Sequence, residues 1–217
     1  MKNTMFKTTV LTVALIVATT AMAFAQTVPA GLLYENEGNG VKITGYNGTA
    51  TTLVIPSSIG GRSVTIIGDA AFREKYTLES VTLPNTITII GAQAFYQCYD
   101  LRSINWPTSL TTIGDNAFFQ CQSLVGSVTF PAPLRTIGSG AFYETGLTGV
   151  TFNNGLLTIG SVAFQGVRGL RSVTIPASVT SIGNYAFYQI SNLAVTMSRS
   201  TQVGEDTFAT RAVITYR

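Results

Sequence analysis

The stretch Ile67-Gly68-Asp69-Ala70-Ala71-Phe72, IGDAAF, returns along the chain as IGAQAF (90–95), IGDNAF (113–118), IGSGAF (137–142), IGSVAF (159–164) and IGNYAF (182–187), with a degenerate copy, VGEDTF, at 203–208. Aligned on the glycines, Gly68, Gly91, Gly114, Gly138, Gly160, Gly183 and Gly204, the steps are 23, 23, 24, 22, 23 and 21 residues. A period this regular marks stacked repeats, each unit contacting its neighbours. The departures from 23 fall outside the phrase: one extra residue between Leu124 and Val128, one missing between Phe142 and Leu147, and two lost between Leu193 and Val203. Bends at a surface tolerate such changes.

Within the phrase, the isoleucine points inward from an extended piece, and the glycine permits a bend. Asp69, Asp115, Ser139, Ser161 and Asn184 follow the glycine in five of the six good copies, and all are favoured helix N-caps. Each copy therefore predicts a short capped helical turn with its phenylalanine ring turned inward. The expected core pegs are Ile67 and Phe72, Ile90 and Phe95, Ile113 and Phe118, Ile137 and Phe142, Ile159 and Phe164, and Ile182 and Phe187.

A second fixed element lies between phrases: LESVTLP, LRSINWP, LVGSVTFP, LTGVTFN and LRSVTIP. Its period-two alternation of β-branched and aromatic residues predicts a short strand, which proline ends by removing a donor. Its inward residues are Val81 and Leu83, Ile104 and Trp106, Val128 and Phe130, Val150 and Phe152, and Val173 and Ile175. One rung buries about six apolar side chains, the large ones worth roughly 1.5–3 kcal/mol each. Fixing about 23 backbones costs on the order of 1–2 kcal/mol apiece. A lone rung fails that comparison, so the units must stack. The fold class expected is a β-rich repeat solenoid of about six 23-residue rungs with short helical turns.

The ends differ from the repeats. Apolar runs flank Glu37-Gly38-Asn39-Gly40, a hairpin signal, so residues 26–66 predict a hairpin cap and first rung, with Gly60-Gly61 as a loop. Residues 67–197 are the regular repeats, and 198–217 a degenerate C-terminal cap in which AVITYR (212–217) is available as a closing strand.

Ahead of the repeats, Lys2 and Lys7 precede an apolar run from Val10 to about Ala23, which ends in Ala23-Phe24-Ala25. Residues 1–25 thus read as a secretory signal peptide, too short in its apolar part to span a bilayer comfortably, leaving 26–217 as a single exported domain. Without Lys2 and Lys7, 11 basic residues face 10 acidic ones. The arginines are scattered, so a nucleic-acid partner is not expected.

The full unit, I-G-x-x-A-F-x-x-C-x-x-L-x-x-V-x-L-P, closely resembles the BspA-like, or treponemal-type, bacterial leucine-rich repeat family, from about Leu53 to Phe208. Even VIPSSIGGRSVTIIGDAAF (54–72) looks like that family's first repeat. The resemblance implies a right-handed solenoid, export to the cell envelope or beyond, and a role in adhesion through binding to host or other proteins. It supplies no catalytic motif.

The residues themselves agree with a non-enzymatic role. Histidine is absent, which removes Ser-His-Asp and Cys-His arrangements and histidine metal sites. Gly38-Asn39-Gly40 lacks the Lys-Ser/Thr of a phosphate loop. Neither a cofactor nor a metal is expected. Cys98 and Cys121 occupy the same place in consecutive units, where stacked thiols and a disulfide are both open, stacked thiols being preferred.

The residue after each core phenylalanine is Arg73, Tyr96, Phe119, Tyr143, Gln165 or Tyr188. If the phenylalanine points in, this column points out. It serves either as a covering ladder on the rungs or as a patch for a partner. The strand face offers serine and threonine, with Arg102 and Arg171 as its charged contacts. Candidate partner-binding residues are thus Tyr96, Phe119, Tyr143, Tyr188, Arg102 and Arg171. The function expected is an exported adhesion or protein-interaction module, with a self-associating envelope protein or a glycan-binding surface as the alternatives.

Overall fold

The computed structural model describes residues 27–217. The signal peptide expected at 1–25 lies outside the described residues. Phrase strands at Arg62–Ile67, Ile89–Ile90, Thr112–Ile113, Thr136–Ile137, Thr158–Ile159, Ser181–Ile182 and Gln202–Val203 pair in parallel, each isoleucine beside its counterpart one unit on. In front of them stands the expected hairpin, Leu32–Glu37 against Gly40–Tyr46, whose second strand joins the first phrase strand in parallel. With Ser58–Ile59, which pairs with the first phrase strand, these nine form a ten-stranded sheet and a β-solenoid of about eight turns. Two turns beyond the six expected come from the ends: Gly40–Tyr46 and the degenerate copy both act as rungs.

The Leu-x-x-Val runs are strands as well, but their side of the solenoid is broken into three short sheets. These are Thr52–Val54, Ser80–Thr82 and Ser103–Ile104; then Val125–Thr129 with Gly146–Thr151; then Ser172–Thr174, Ala194–Met197 and Val213–Tyr216. The middle pair holds both the inserted and the missing residue. Its register slips at Gly126, whose φ of 89° only glycine adopts freely. The 24- and 22-residue steps are thus absorbed on one side, and the phrase sheet passes them without interruption. Gly60 and Gly61, both at positive φ, make the tight turn between Ser58–Ile59 and Arg62–Ile67.

Where short helical turns were expected, no helix occurs among the described residues. The backbone instead alternates its hydrogen bonds. Ala71, Arg73 and Lys75 N–H groups close four-residue turns on Gly68, Ala70 and Phe72, while Ala70, Phe72 and Glu74 donate to Ala92, Ala94 and Tyr96 one rung on. The pattern repeats from unit to unit, the copy at Gly183 making two of the three inter-rung bonds, and in these bonds the donor belongs to the earlier rung. It requires positive φ at the second and sixth residues after the glycine, as at Ala70 and Glu74, or Gln93 and Gln97. A helix would direct its bonds along its own axis. This winding gives half of them to the neighbour.

The expected N-caps act differently for the same reason. Asp69 Oδ1 accepts from Ala92 N at 2.8 Å, Asp115 Oδ1 from Ser139 N at 2.7 Å, and Asn184 Oδ1 from Glu205 N at 3.0 Å. Each caps the next rung and not its own turn. The phrase glycine also has another purpose than a bend. Gly91 is not at positive φ, but a Cβ there would lie 2.4 Å from Asp69 Oδ1 and 2.8 Å from Gly68 C. It is glycine because the rung before it passes so close.

The core pegs are all buried as expected. Phe72, Phe95, Phe118, Phe142, Phe164, Phe187 and Phe208 form one internal stack with centroids 5.1–5.7 Å apart and rings within 15° of parallel. Of the inward strand residues, Ile104 and Trp106 are only partly buried. The Trp106 ring meets Phe118 and Phe130 edge-on at 5.3 Å.

Candidate interaction surface

The turn side carries three columns of side chains, counted from each phrase glycine. In the fifth position Tyr96, Phe119 and Tyr143 stack face to face, with centroids 4.9 and 4.5 Å apart and planes within 8°. The Arg73 guanidinium covers the front of this ladder 5.1 Å above Tyr96, held by Glu74 at 2.9 Å and Gln93 at 3.0 Å. Gln165 breaks the column, and Tyr188 beyond it packs edge-on to Tyr185 at 5.5 Å. The structure therefore brings Tyr96, Phe119 and Tyr143 together and leaves Tyr188 apart. All four are half-buried.

Beside the rings runs a second ladder at the sixth position, where Gln97 Nε2 donates to Gln120 Oε1 at 2.9 Å and Gln120 Nε2 to Glu144 Oε2 at 3.0 Å. Burial, with the Glu144 carboxylate beside it, pushes the Tyr143 hydroxyl up from its ordinary value. It stays a phenol and can donate. At the eighth position Tyr76 and Tyr99 stack at 5.5 Å and remain exposed. Neither of these columns figures among the sequence candidates. The signal was there, since Glu or Gln fills the sixth position in five of six copies.

Cys98 and Cys121 are free thiols and fully buried. Cys98 Sγ donates to the Phe72 carbonyl and Cys121 Sγ to the Phe95 carbonyl, each at 3.0 Å, the same bond one rung apart. Burial pushes the Cys98 thiol up to about 12 and the Cys121 thiol up as well. Arg102 is exposed at the start of its strand and has no partner among the described residues. Arg171 turns away from the strand face: its Nη1 donates to the Arg168 carbonyl at 2.8 Å and the Leu170 carbonyl at 3.1 Å. On that face Thr82, Ser103, Thr129, Thr151 and Thr174 are exposed. No group of three or more His, Cys, Asp or Glu side chains fit to hold a metal ion occurs among the described residues, and no helix long and apolar enough to cross a membrane occurs among them.

The sequence family described as the BspA type leucine rich repeat region matches in six copies, over residues 46–155 and 125–216. Among solved structures, a leucine-rich repeat protein of T. pallidum is 25% identical with a TM-score of 0.57, the match covering 87% of this chain and 86% of that one. A Bacteroides ovatus leucine-rich repeat protein is 18% identical with a TM-score of 0.56 over 88% of this chain and 71% of that one. The pneumococcal vaccine antigen PcpA is 22% identical with a TM-score of 0.63, over 80% of this chain and half of that one. A search of curated proteins finds no match.

Proposed function

Because the chain belongs to the BspA-type leucine-rich repeat family of bacterial proteins, we propose that it is an exported, non-enzymatic module that binds a protein partner through its turn side. The observation that carries this reading is the ladder of Tyr96, Phe119 and Tyr143, with the Gln97–Gln120–Glu144 ladder and the Tyr76–Tyr99 pair on the same side. Ring faces in the ladder are covered by each other, so a partner meets their edges and hydroxyls. That geometry suits a protein surface, which offers carbonyls and apolar side chains to ring edges, better than a sugar, which stacks on an open face.

The test uses the whole exported chain as bait against host matrix proteins and the producer's own envelope proteins. Alanine at Tyr96, Phe119, Tyr143 and Tyr188 together is expected to lower retention of the captured partner at least tenfold while the far-UV CD spectrum persists. Retention equal to that of the parent chain removes the ladder from the interface.

Self-association is the second reading, favoured by one feature. Strand Val213–Tyr216 is paired on one side only among the described residues, with Val213 65% exposed. Sedimentation separates the two readings: a closed oligomer at low micromolar concentration supports self-association, and a monomer rejects it.

A further inference from the structure

The side-chain ladders of the turn side stop at one place. At the sixth position of the fifth repeat, where the other copies carry Glu or Gln, stands Gly166, and a Cβ there would approach Glu144 Cγ to 3.0 Å. The gap opens on two adjoining depressions that share Arg168. One, of about 600 Å³, is lined by Arg168, Arg171, Gln189, Ser191 and Asn192. The other, of about 430 Å³, lies over Gly146, Gly166 and Gly169.

What distinguishes the larger depression is that its polar groups are not engaged. Among the described residues the Arg168 guanidinium makes no hydrogen bond or ion pair, and neither do the side chains of Gln189, Ser191 and Asn192. Arg171 uses only Nη1, on two carbonyls that fix its position and leave its other N–H groups free. No carboxylate pairs with either arginine, and the nearby Glu144 is held by Gln120. The Arg168 guanidinium, the remaining N–H groups of Arg171, two amides and a hydroxyl thus line one depression, in a volume within the roughly 300–1,000 Å³ of small-molecule sites.

We propose that this notch binds a carboxylated sugar. The two guanidinium groups take the carboxylate, for which their planar N–H pairs are shaped. Gln189, Asn192 and Ser191, each both donor and acceptor, take ring hydroxyls, which are also both. An acidic protein side chain would use the arginines and leave the other three groups idle. This site is separate from the aromatic ladder and stands whether or not the ladder binds a protein.

The test is an amide NMR titration of the full chain with D-glucuronate, with D-glucose and acetate as controls. Glucuronate is expected to give saturable shifts at Gly166, Arg168, Ser191 and Asn192, with a dissociation constant at least tenfold below that for acetate and no saturation by glucose. Arg168→Ala is expected to weaken glucuronate binding tenfold or more with an unchanged Tm, because that guanidinium holds nothing in the fold. Arg171→Ala should do the same; if it lowers Tm, Arg168→Ala alone carries the test. The proposal is overturned if glucuronate gives no saturable shift, if acetate binds as tightly, if glucose saturates equally, or if Arg168→Ala binds like the parent.

Discussion

Val162 has φ of +52° in the position that Asn116 and Gly140 occupy in other rungs. A β-branched side chain is the least suited to that region, and the left-handed conformation costs a non-glycine residue on the order of 1–2 kcal/mol. Val162→Asn and Val162→Gly are therefore expected to raise stability by about 1 kcal/mol, read as a higher urea midpoint at unchanged slope. A lower midpoint for both would mean that packing of the valine outweighs its backbone strain. The two thiols make a prediction of the opposite sort. Cys98 is held up to about 12 by burial, whereas an unfolded thiol ionises near 9. Above that value the unfolded chain releases protons that the folded chain retains, so folding stability contributed by the buried thiol is complete below pH 9 and is lost as pH rises from there to 12. The slope is about 1.4 kcal/mol per pH unit for each such thiol. Cys98→Ala should flatten the alkaline side of the stability profile. In the native chain neither thiol should react with a thiol reagent at pH 8, and both should react after unfolding without reductant.

Among elements, the turn winding was the least legible part of the sequence. The phrase I-G-D-A-A-F satisfies the local rules for a capped helical turn at Asp69, Ala71 and Phe72. What overrides those rules is the next rung, only one strand spacing away, whose carbonyls at Ala92, Ala94 and Tyr96 accept every second N–H. A single copy carries no trace of that. The repeat carries one: Glu or Gln recurring at a position that requires positive φ is a preference no isolated turn explains. The Asp column leads to a clean comparison. Asp115→Ala removes the acceptor for Ser139 N and is expected to cost about 1 kcal/mol, while Asp115→Asn should cost little, since Asn184 makes the same bond with an amide oxygen. Equal losses in urea unfolding would show that the charge, and not the hydrogen bond, is what the position supplies. The strands, by contrast, were legible from alternation alone. Their grouping into three short sheets on one side was not, because it depends on how the 24- and 22-residue steps are absorbed between Val125 and Thr151.

For the whole molecule, the period makes stability divisible by rungs. Deleting 91–113 joins Ile90 to Gly114 and restores an uninterrupted phrase. The shortened chain is expected to keep the parent's CD spectrum per residue and unfold cooperatively at a lower urea midpoint. Deleting 91–102, half a rung, puts Ser103 after Ile90, breaks every column at once and should abolish the cooperative transition. If both deletions unfold alike, the stack is not the unit of stability. The candidate surface was legible in proportion to its regularity. Tyr96, Phe119 and Tyr143 follow from the column after Phe95, Phe118 and Phe142, but the Arg168 notch is an interruption of a pattern, and only coordinates reveal which side chains converge on a gap.

One consequence of the winding concerns charge. From Ala70 to Phe187, the inter-rung bonds made by the second, fourth and sixth residues after each phrase glycine donate from the earlier rung to the later. The peptide dipoles of that column are therefore aligned along the solenoid axis, as they are along a helix, but with N–H groups directed toward the C-terminal end. Carbonyls of Asp69, Ala71 and Arg73 face the front with no backbone donor before them. The negative pole lies there and the positive pole at the last rung. A chain of formal net charge +3 thus also carries a direction, one that sets which end an approaching ion or polyelectrolyte meets first.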